Sequence, residues 1–335
     1  MNPDACGASA EPVDAQAAVT LADVFSAAAR IAPFAQVTPV LRCSSLDALS
    51  GAQLHFKCEN LQRVGAFKFR GACNAVWSLD DASAARGVVT HSSGNHGAAL
   101  ALAARTRGVD AHVVVPRGAV RSKVVAIQSY GATVHECAPT MSAREAMAAQ
   151  IQRDTGACLV HPFTDALVIA GQGTAALELL RQAGELDIVL APVGGGGLVS
   201  GCAVAVAGLD ANARVIGAEP SGADDAFQSL VSGERMTALV PDTICDGLRG
   251  VVGQVNLDLM RRHRVQILRV DDAQTIAAMR LLWERMKLIV EPSCAIVLAA
   301  VLRYPEHFAG RRVGLILSGG NVDLDLALSW AGQRA

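Results

Sequence analysis

Lys68 stands between Phe67 and Phe69 in NLQRVGAFKFRG (60–71), a cation set among two of the chain's eight phenylalanines. A lysine held in an apolar pocket loses its hydration, which favours the neutral amine and suits it to imine formation. Its local context fits a surface lysine in an amphipathic segment with Arg63 and Arg70 equally well. Other stretches bear on that choice. GGGG at 194–197 precedes a helical stretch, where backbone N–H groups and the helix dipole can close around a phosphate-sized anion. THSSGNHGAAL (90–100) offers Ser92, Ser93, Gly94, Asn95 and His96 at a second helix start, a donor set that suits a carboxylate. In LSGGNVD (317–323) Ser318 falls just past a strand, and in AEPSGADD (218–225) three acids share one turn. Alone, these last two read as a turn serine and a solvated acidic turn.

The phosphate ligand has two readings. No G-K-[ST] follows the glycines, which disfavours a P-loop NTPase. A dinucleotide is better supported, because Glu219 ends the next strand where a ribose-binding acid belongs. The fingerprint is incomplete, since its third position falls on Val199 or Ser200.

The elements that carry these loops repeat. GVVTHSSG (87–94), AHVVVPRG (111–118), DIVLAPVGGGG (187–197), ARVIGAEPS (213–221) and RRVGLILSGG (311–320) read as strands ending in glycine or polar turns. The first three run straight into alanine-rich helical stretches. The pattern predicts an α/β fold with parallel sheets covered by helices, and ligands bound beyond the carboxyl ends of the strands. Two strand–helix repeats at roughly 87–135 suggest a smaller lobe set into a larger one. The expected division is a large domain over 15–85 and 160–330, a small mobile domain over 86–159, and a disordered tail at 1–14.

With 335 residues, 51% hydrophobic and 18% charged, the chain can bury a sizeable core, and at 4% aromatic that core is mostly Ala, Val and Leu. Twenty-nine basic against 31 acidic residues leave no field to attract nucleic acid or an anionic membrane surface. No apolar run is long enough to cross a bilayer, and the N-terminus lacks a basic region ahead of an apolar one. Nine cysteines, scattered without a C-x-x-C pair, read as reduced thiols of a cytoplasmic protein.

Taken together, FKFRGA, SSGNHG, HPF…AGQGT, GGGGLVSG, AEPSGADD, WERMKLIVEP and LSGGNVD resemble the fold type II pyridoxal-phosphate (PLP) enzymes. Within that family, whose architecture is that of the tryptophan synthase β subunit, they resemble the serine/threonine dehydratase and serine racemase group. The match runs from about residue 35 to the C-terminus, and it displaces the dinucleotide reading. It implies that Lys68 forms the imine with PLP and that Asn95 lies against the ring hydroxyl. It gives the phosphate to Gly194, Gly195, Gly196 and Gly197, and Ser318 to the pyridine nitrogen. Phe67, Leu198, Glu291 and Gly319 join the cofactor's neighbours, and Cys294 is expected on the cofactor side of its helix start. A hydroxyl at the ring nitrogen does not keep it protonated, which moderates the electron sink and favours loss of a β-leaving group.

The activity implied is α,β-elimination from a small hydroxyamino acid, with Lys68 as α-proton base and a 2-oxo acid and ammonia as products. Ser93 keeps a second activity open, because in the family's racemases this serine protonates the carbanion from the opposite face. HPF is closer to the dehydratases, whereas WERMKL and LSGGNVDL lean towards serine racemase. Substrate contacts are expected from Ser92, Ser93, Gly94, Asn95 and His96. Arg144 is a candidate for the second carboxylate of 3-hydroxyaspartate, against the bland reading of a solvated helix arginine beside Glu145. His91, His96 and His161 are expected to pack or hydrogen-bond. Glu219, Ala223 and Asp225 resemble the family's divalent cation site, whose hard oxygen donors suit Mg²⁺ or Ca²⁺. The resemblance also implies a homodimer.

Overall fold

The structure, a computed structural model, describes residues 19–119, 121–210 and 212–332. The tail expected at 1–14 lies outside the described residues. Ten strands occur among the described residues: β1 (Val40–Leu41), β2 (Gln53–Cys58), β3 (Val88–Thr90), β4 (Ala111–Pro116), β5 (Thr133–Cys137), β6 (Cys158–Leu159), β7 (Ile188–Pro192), β8 (Arg214–Pro220), β9 (Gln266–Val270) and β10 (Arg312–Leu317). They form a six-stranded sheet of order β1-β2-β10-β7-β8-β9 and a four-stranded sheet of order β5-β4-β3-β6. Every pairing is parallel except β1 with β2.

Both sheets are covered on two faces, which is why their central strands are apolar without alternation. In β7, Ile188 and Leu190 join one core cluster with helix Pro292–Arg303, while Val189 and Ala191 join another with helices Ala166–Ala183 and Gly197–Leu209. In β4, Val113 and Val115 pack with helix Asn95–Arg107, and Val114 faces helix Met141–Thr155. The small sheet is larger than the sequence pattern suggests by one strand–helix repeat and by the short strand β6. The added pair is β5 and helix Met141–Thr155, which the sequence hides because THREE of five β5 side chains are not apolar and the helix buries only Ala148 and Ile151.

Helix Lys68–Ser78 lies between the sheets, with Phe69, Ala72, Cys73 and Val76 in the core of the small one. Its first turn is pinned by Arg70, fully buried and forked onto two carboxylates: Nε and Nη2 donate to Glu59 at 2.7 and 2.8 Å, and Nη1 and Nη2 donate to Glu178 at 2.8 Å. Lys57 Nζ donates to the same Glu178 at 2.6 Å, so two cations meet two anions and no net charge is buried. Removing one member of such a set leaves an uncompensated ion and costs about 3–5 kcal/mol. Side chains two apart on a helix point to nearly opposite sides, so the turn that buries Arg70 turns Lys68 away from it.

Candidate active site

The turns after β3, β4, β7 and β10 meet around a cavity of about 430 Å³. Phe67, Lys68, Gly194–Leu198, Glu291 and Ser318 line it from the large sheet, and His91–His96, Lys123 and Arg144 from the small one. Lys68 is the first residue of its helix. Its Nζ donates to the Pro162 carbonyl at 2.8 Å and stands 5.1 Å from the centre of the Phe67 ring. Burial alone lowers its amine to about 8, so at neutral pH about a tenth is unprotonated without any cationic neighbour. The loop leading to it is strained: Val64, β-branched, adopts φ +55°, at a cost of order 1–3 kcal/mol. Asn321 holds that loop by donating Nδ2 to the Val64 carbonyl at 2.7 Å.

The glycines after β7 have no room for side chains. A Cβ on Gly195 would fall 2.4 Å from Cγ of Phe163, and Gly196, which caps helix Gly197–Leu209, has φ +94°. Among the described residues, nothing accepts from the amides of Gly194, Gly195 and Gly196. Free amides at a helix N-terminus, in a cradle that a Cβ would fill, fit a phosphate. Lys68 and the nearly buried Ser318 share that cavity, so the residues present fit PLP.

Asn95 opens helix Asn95–Arg107 and donates Nδ2 to Glu291 at 3.0 and 3.2 Å, while its Oδ1 accepts from Asn321 at 2.9 Å. Glu291 is buried, and desolvation, reinforced by the charge of Asp246, raises its carboxyl to about 7. His96 is buried with its Nδ1 unpartnered, and burial followed by the charge of Lys68 holds it well below the usual imidazole range. His91 lines the cavity and is lowered by burial. Across from them Lys123 pairs with Asp246, joining the two sheets' loops at the cavity. Arg144 is not the solvated arginine of the bland reading: it is partly buried on the cavity wall, and its Nε is buried without an acceptor.

Glu219, Ala223 and Asp225 lie apart from the cavity lining. Glu219 is fully buried, with Oε1 accepting from Ala226 N at 2.9 Å and Oε2 from Phe227 N at 2.8 Å. Asp225 Oδ2 accepts from Val252 N at 2.7 Å. Burial, with the neighbouring acids, raises Glu219 well above the carboxylate range and Asp225 to about 6. Among the described residues no three His, Cys, Asp or Glu side chains are arranged to hold a metal. Burial disfavours the charged forms of the Glu219 and Asp225 carboxyl groups, and a cation among their oxygens would favour them.

Residues 31–319 match the model of the family described as pyridoxal-phosphate dependent enzymes. The chain belongs to this family. It is 47% identical over 311 residues to the beta-hydroxyaspartate dehydratase of Paracoccus denitrificans (strain Pd 1222), covering 93% of this chain and 98% of that one. It is also 47% identical over 316 residues to the serine racemase of Dictyostelium discoideum, with the same coverages. The structure of maize serine racemase superposes with a TM-score of 0.90 at 43% identity, over 93% of this chain and 96% of the other. The fold is thus that of a fold type II PLP enzyme, as the motifs implied. No helix among the described residues is long and apolar enough to cross a membrane.

Two expectations change in detail. Gly319 stands behind the cavity wall, its carbonyl accepting from Glu291 N at 3.1 Å, and Cys294 is fully buried while its neighbour Ser293 lines the cavity. The first turn of helix Pro292–Arg303 turns Cys294 into the core instead. Sequence reasoning assigned no role to Lys123, Asp246, Phe163 or Asn321. Phe163 and Asn321 lie inside quoted motifs, whereas AVRSK and ICDG have no residue pattern that could have marked them.

Proposed function

We propose that the protein is a PLP-dependent dehydratase that converts a small β-hydroxyamino acid to a 2-oxo acid and ammonia. The observation that carries this is the desolvated Lys68, lowered to about 8, opening on the same cavity as the glycine cradle and Ser318. Gly194–Gly197, with Leu198, would hold the phosphate, Asn95 the ring hydroxyl, and Ser318 the ring nitrogen. Bound there, the cofactor supplies an electron sink for the bonds at the substrate's Cα. Phe67 and the glycine wall keep water from the lysine, and the start of helix Asn95–Arg107, with Ser92, Gly94 and His96, receives the α-carboxylate. Lys68, as a neutral amine, would take the α-proton and return it to the departing β-hydroxyl, which leaves as water, and hydrolysis of the released enamine would give the 2-oxo acid and ammonia.

Arg144 supports 3-hydroxyaspartate over serine or threonine, because its unpartnered Nε–H is a donor for which a second carboxylate would be the acceptor. A relative bearing the name beta-hydroxyaspartate dehydratase agrees with this. Ser93, on the same cavity as Lys68, favours racemisation as a second reading. Glu219, the Ala223 carbonyl and Asp225 are assigned to Mg²⁺ or Ca²⁺. The small sheet, within 86–159, is assigned to a mobile domain that closes on the large one, 15–85 with 160–330. The eight cysteines among the described residues are free, which suits the cytoplasm, and exposed Leu324 and Leu328, one turn apart, suit a homodimer.

A panel of hydroxyamino acids, with and without Mg²⁺, tests the reading by 2-oxo acid, ammonia and chirality together. The expected result is equimolar 2-oxo acid and ammonia, fastest from 3-hydroxyaspartate. Inversion at Cα with no 2-oxo acid from any substrate would replace dehydration by racemisation.

A further inference from the structure

The turn His161–Thr164 touches both halves of the proposed chemistry. The Pro162 carbonyl holds Lys68 Nζ at 2.8 Å. The Phe163 ring fills the space a Cβ would need at Gly195, and the Phe163 backbone sits 3.1 Å from where one would stand on Gly197. Asn256 Nδ2 clamps the two together, donating to the Phe163 carbonyl at 2.9 Å and the Gly195 carbonyl at 2.5 Å. What shapes the turn is the side chain that begins it. His161 Nδ1 accepts from Thr164 N at 3.1 Å and Phe163 N at 3.4 Å, closing a ring as an Asn or Asp side chain does in a side-chain-capped turn.

We propose that His161 is a positioning residue whose Nδ1 fixes one turn that sets Lys68 and the glycine loop at a common spacing. The inference rests on the reading above and deepens it. His161 does not line the cavity, so it acts through Pro162 and Phe163. For Nδ1 to accept from both amides the ring must be neutral with its proton on Nε2. Burial first, then the charges of His91 and Lys68, lower its pKa to about 3, which keeps it so. The ring is held edge-on between Phe163, 4.6 Å away, and His91, 5.0 Å away, so the acceptor cannot swing out of the turn.

Three substitutions separate the acceptor from bulk and polarity. Asn places Oδ1 where His has Nδ1, Gln places its polar atoms where His has Nε2, and Leu has neither. In the holoenzyme, His161→Gln and His161→Leu are expected to lower kcat roughly tenfold to a hundredfold with little change in KM, the scale of a misplaced reacting group. Both should shift the visible band of lysine-bound cofactor and the ³¹P resonance of its phosphate together, and His161→Asn should restore all three signals. Gln matching Asn, Asn failing as Leu does, or only one of the two spectroscopic signals moving would overturn the proposal. Should Leu not fold, the Asn and Gln pair decides alone. Hydrogen exchange at the Phe163 and Thr164 amides needs neither cofactor nor substrate. Faster exchange in Gln but not in Asn supports the turn, and equal exchange in wild type, Asn and Gln defeats it. A wild-type protein that takes up no PLP would instead defeat the dehydratase reading and leave that exchange comparison to decide the turn.

Discussion

The two walls of the cavity are built on opposite plans. The large-sheet wall is made of backbone and close packing: glycines with Phe163 against them, a lysine on a helix locked by Arg70, a serine nearly out of solvent. The small-sheet wall presents long side chains, Lys123 and Arg144, the first paired across the cavity and the second with an open donor. Rigid packing suits the steps every substrate shares, because atoms held by a close-packed interior cannot drift. Long polar chains suit selection among substrates, since each offers one charge that a given ligand meets or leaves unmet.

Breaking the rigid wall should cost most. Lys68→Ala is expected to lower turnover by roughly 10⁴-fold or more, the scale of losing both the covalent attachment and the base, and to abolish borohydride trapping of PLP on the protein. Trapping that persists would move the attachment elsewhere. Gly195→Ala drives a methyl into the Phe163 ring, an overpacking of about 1–3 kcal/mol, so PLP affinity should fall about tenfold to a hundredfold in a fluorescence titration. Undiminished affinity would mean that the cradle is not where the phosphate sits.

The other wall should discriminate. Arg144→Ala is expected to lower kcat/KM for 3-hydroxyaspartate about tenfold to a hundredfold, the worth of one charge-assisted hydrogen bond, and to leave serine nearly unchanged. Equal losses on both substrates would return Arg144 to a structural role. The last effect belongs to Lys68 itself, on the large-sheet wall. The proposed base is the neutral amine of Lys68, which burial lowers to about 8, so activity limited by that base should rise with pH below that value and level off above it. A profile flat from pH 6 to 9 would remove Lys68 as the titrating base.

Much of the large-sheet wall was legible in the chain. FKFRGA, GGGG and LSGG are short and contiguous, and their chemistry rests on residue types that few other roles require. The small-sheet wall was harder to read because Lys123, Arg144 and Asp246 are ordinary surface residue types. Only the packing of helix Met141–Thr155 and the turn after Cys245 turns them to one cavity. β5 escaped for a related reason, since an edge strand half open to solvent carries a weak apolar pattern.

By itself the sequence determined the α/β class and the family and marked the lysine and the glycine loop as candidates, because strand periodicity and glycine conformational freedom are local properties that the chain carries wherever it folds. The tertiary structure alone decided that Lys68 loses its water, that Arg144 is left with an unanswered donor, and that one turn at His161–Thr164 joins the lysine to the glycine cradle. Desolvation, unmet hydrogen bonds and shared packing arise between segments about a hundred residues apart, and no local pattern encodes them.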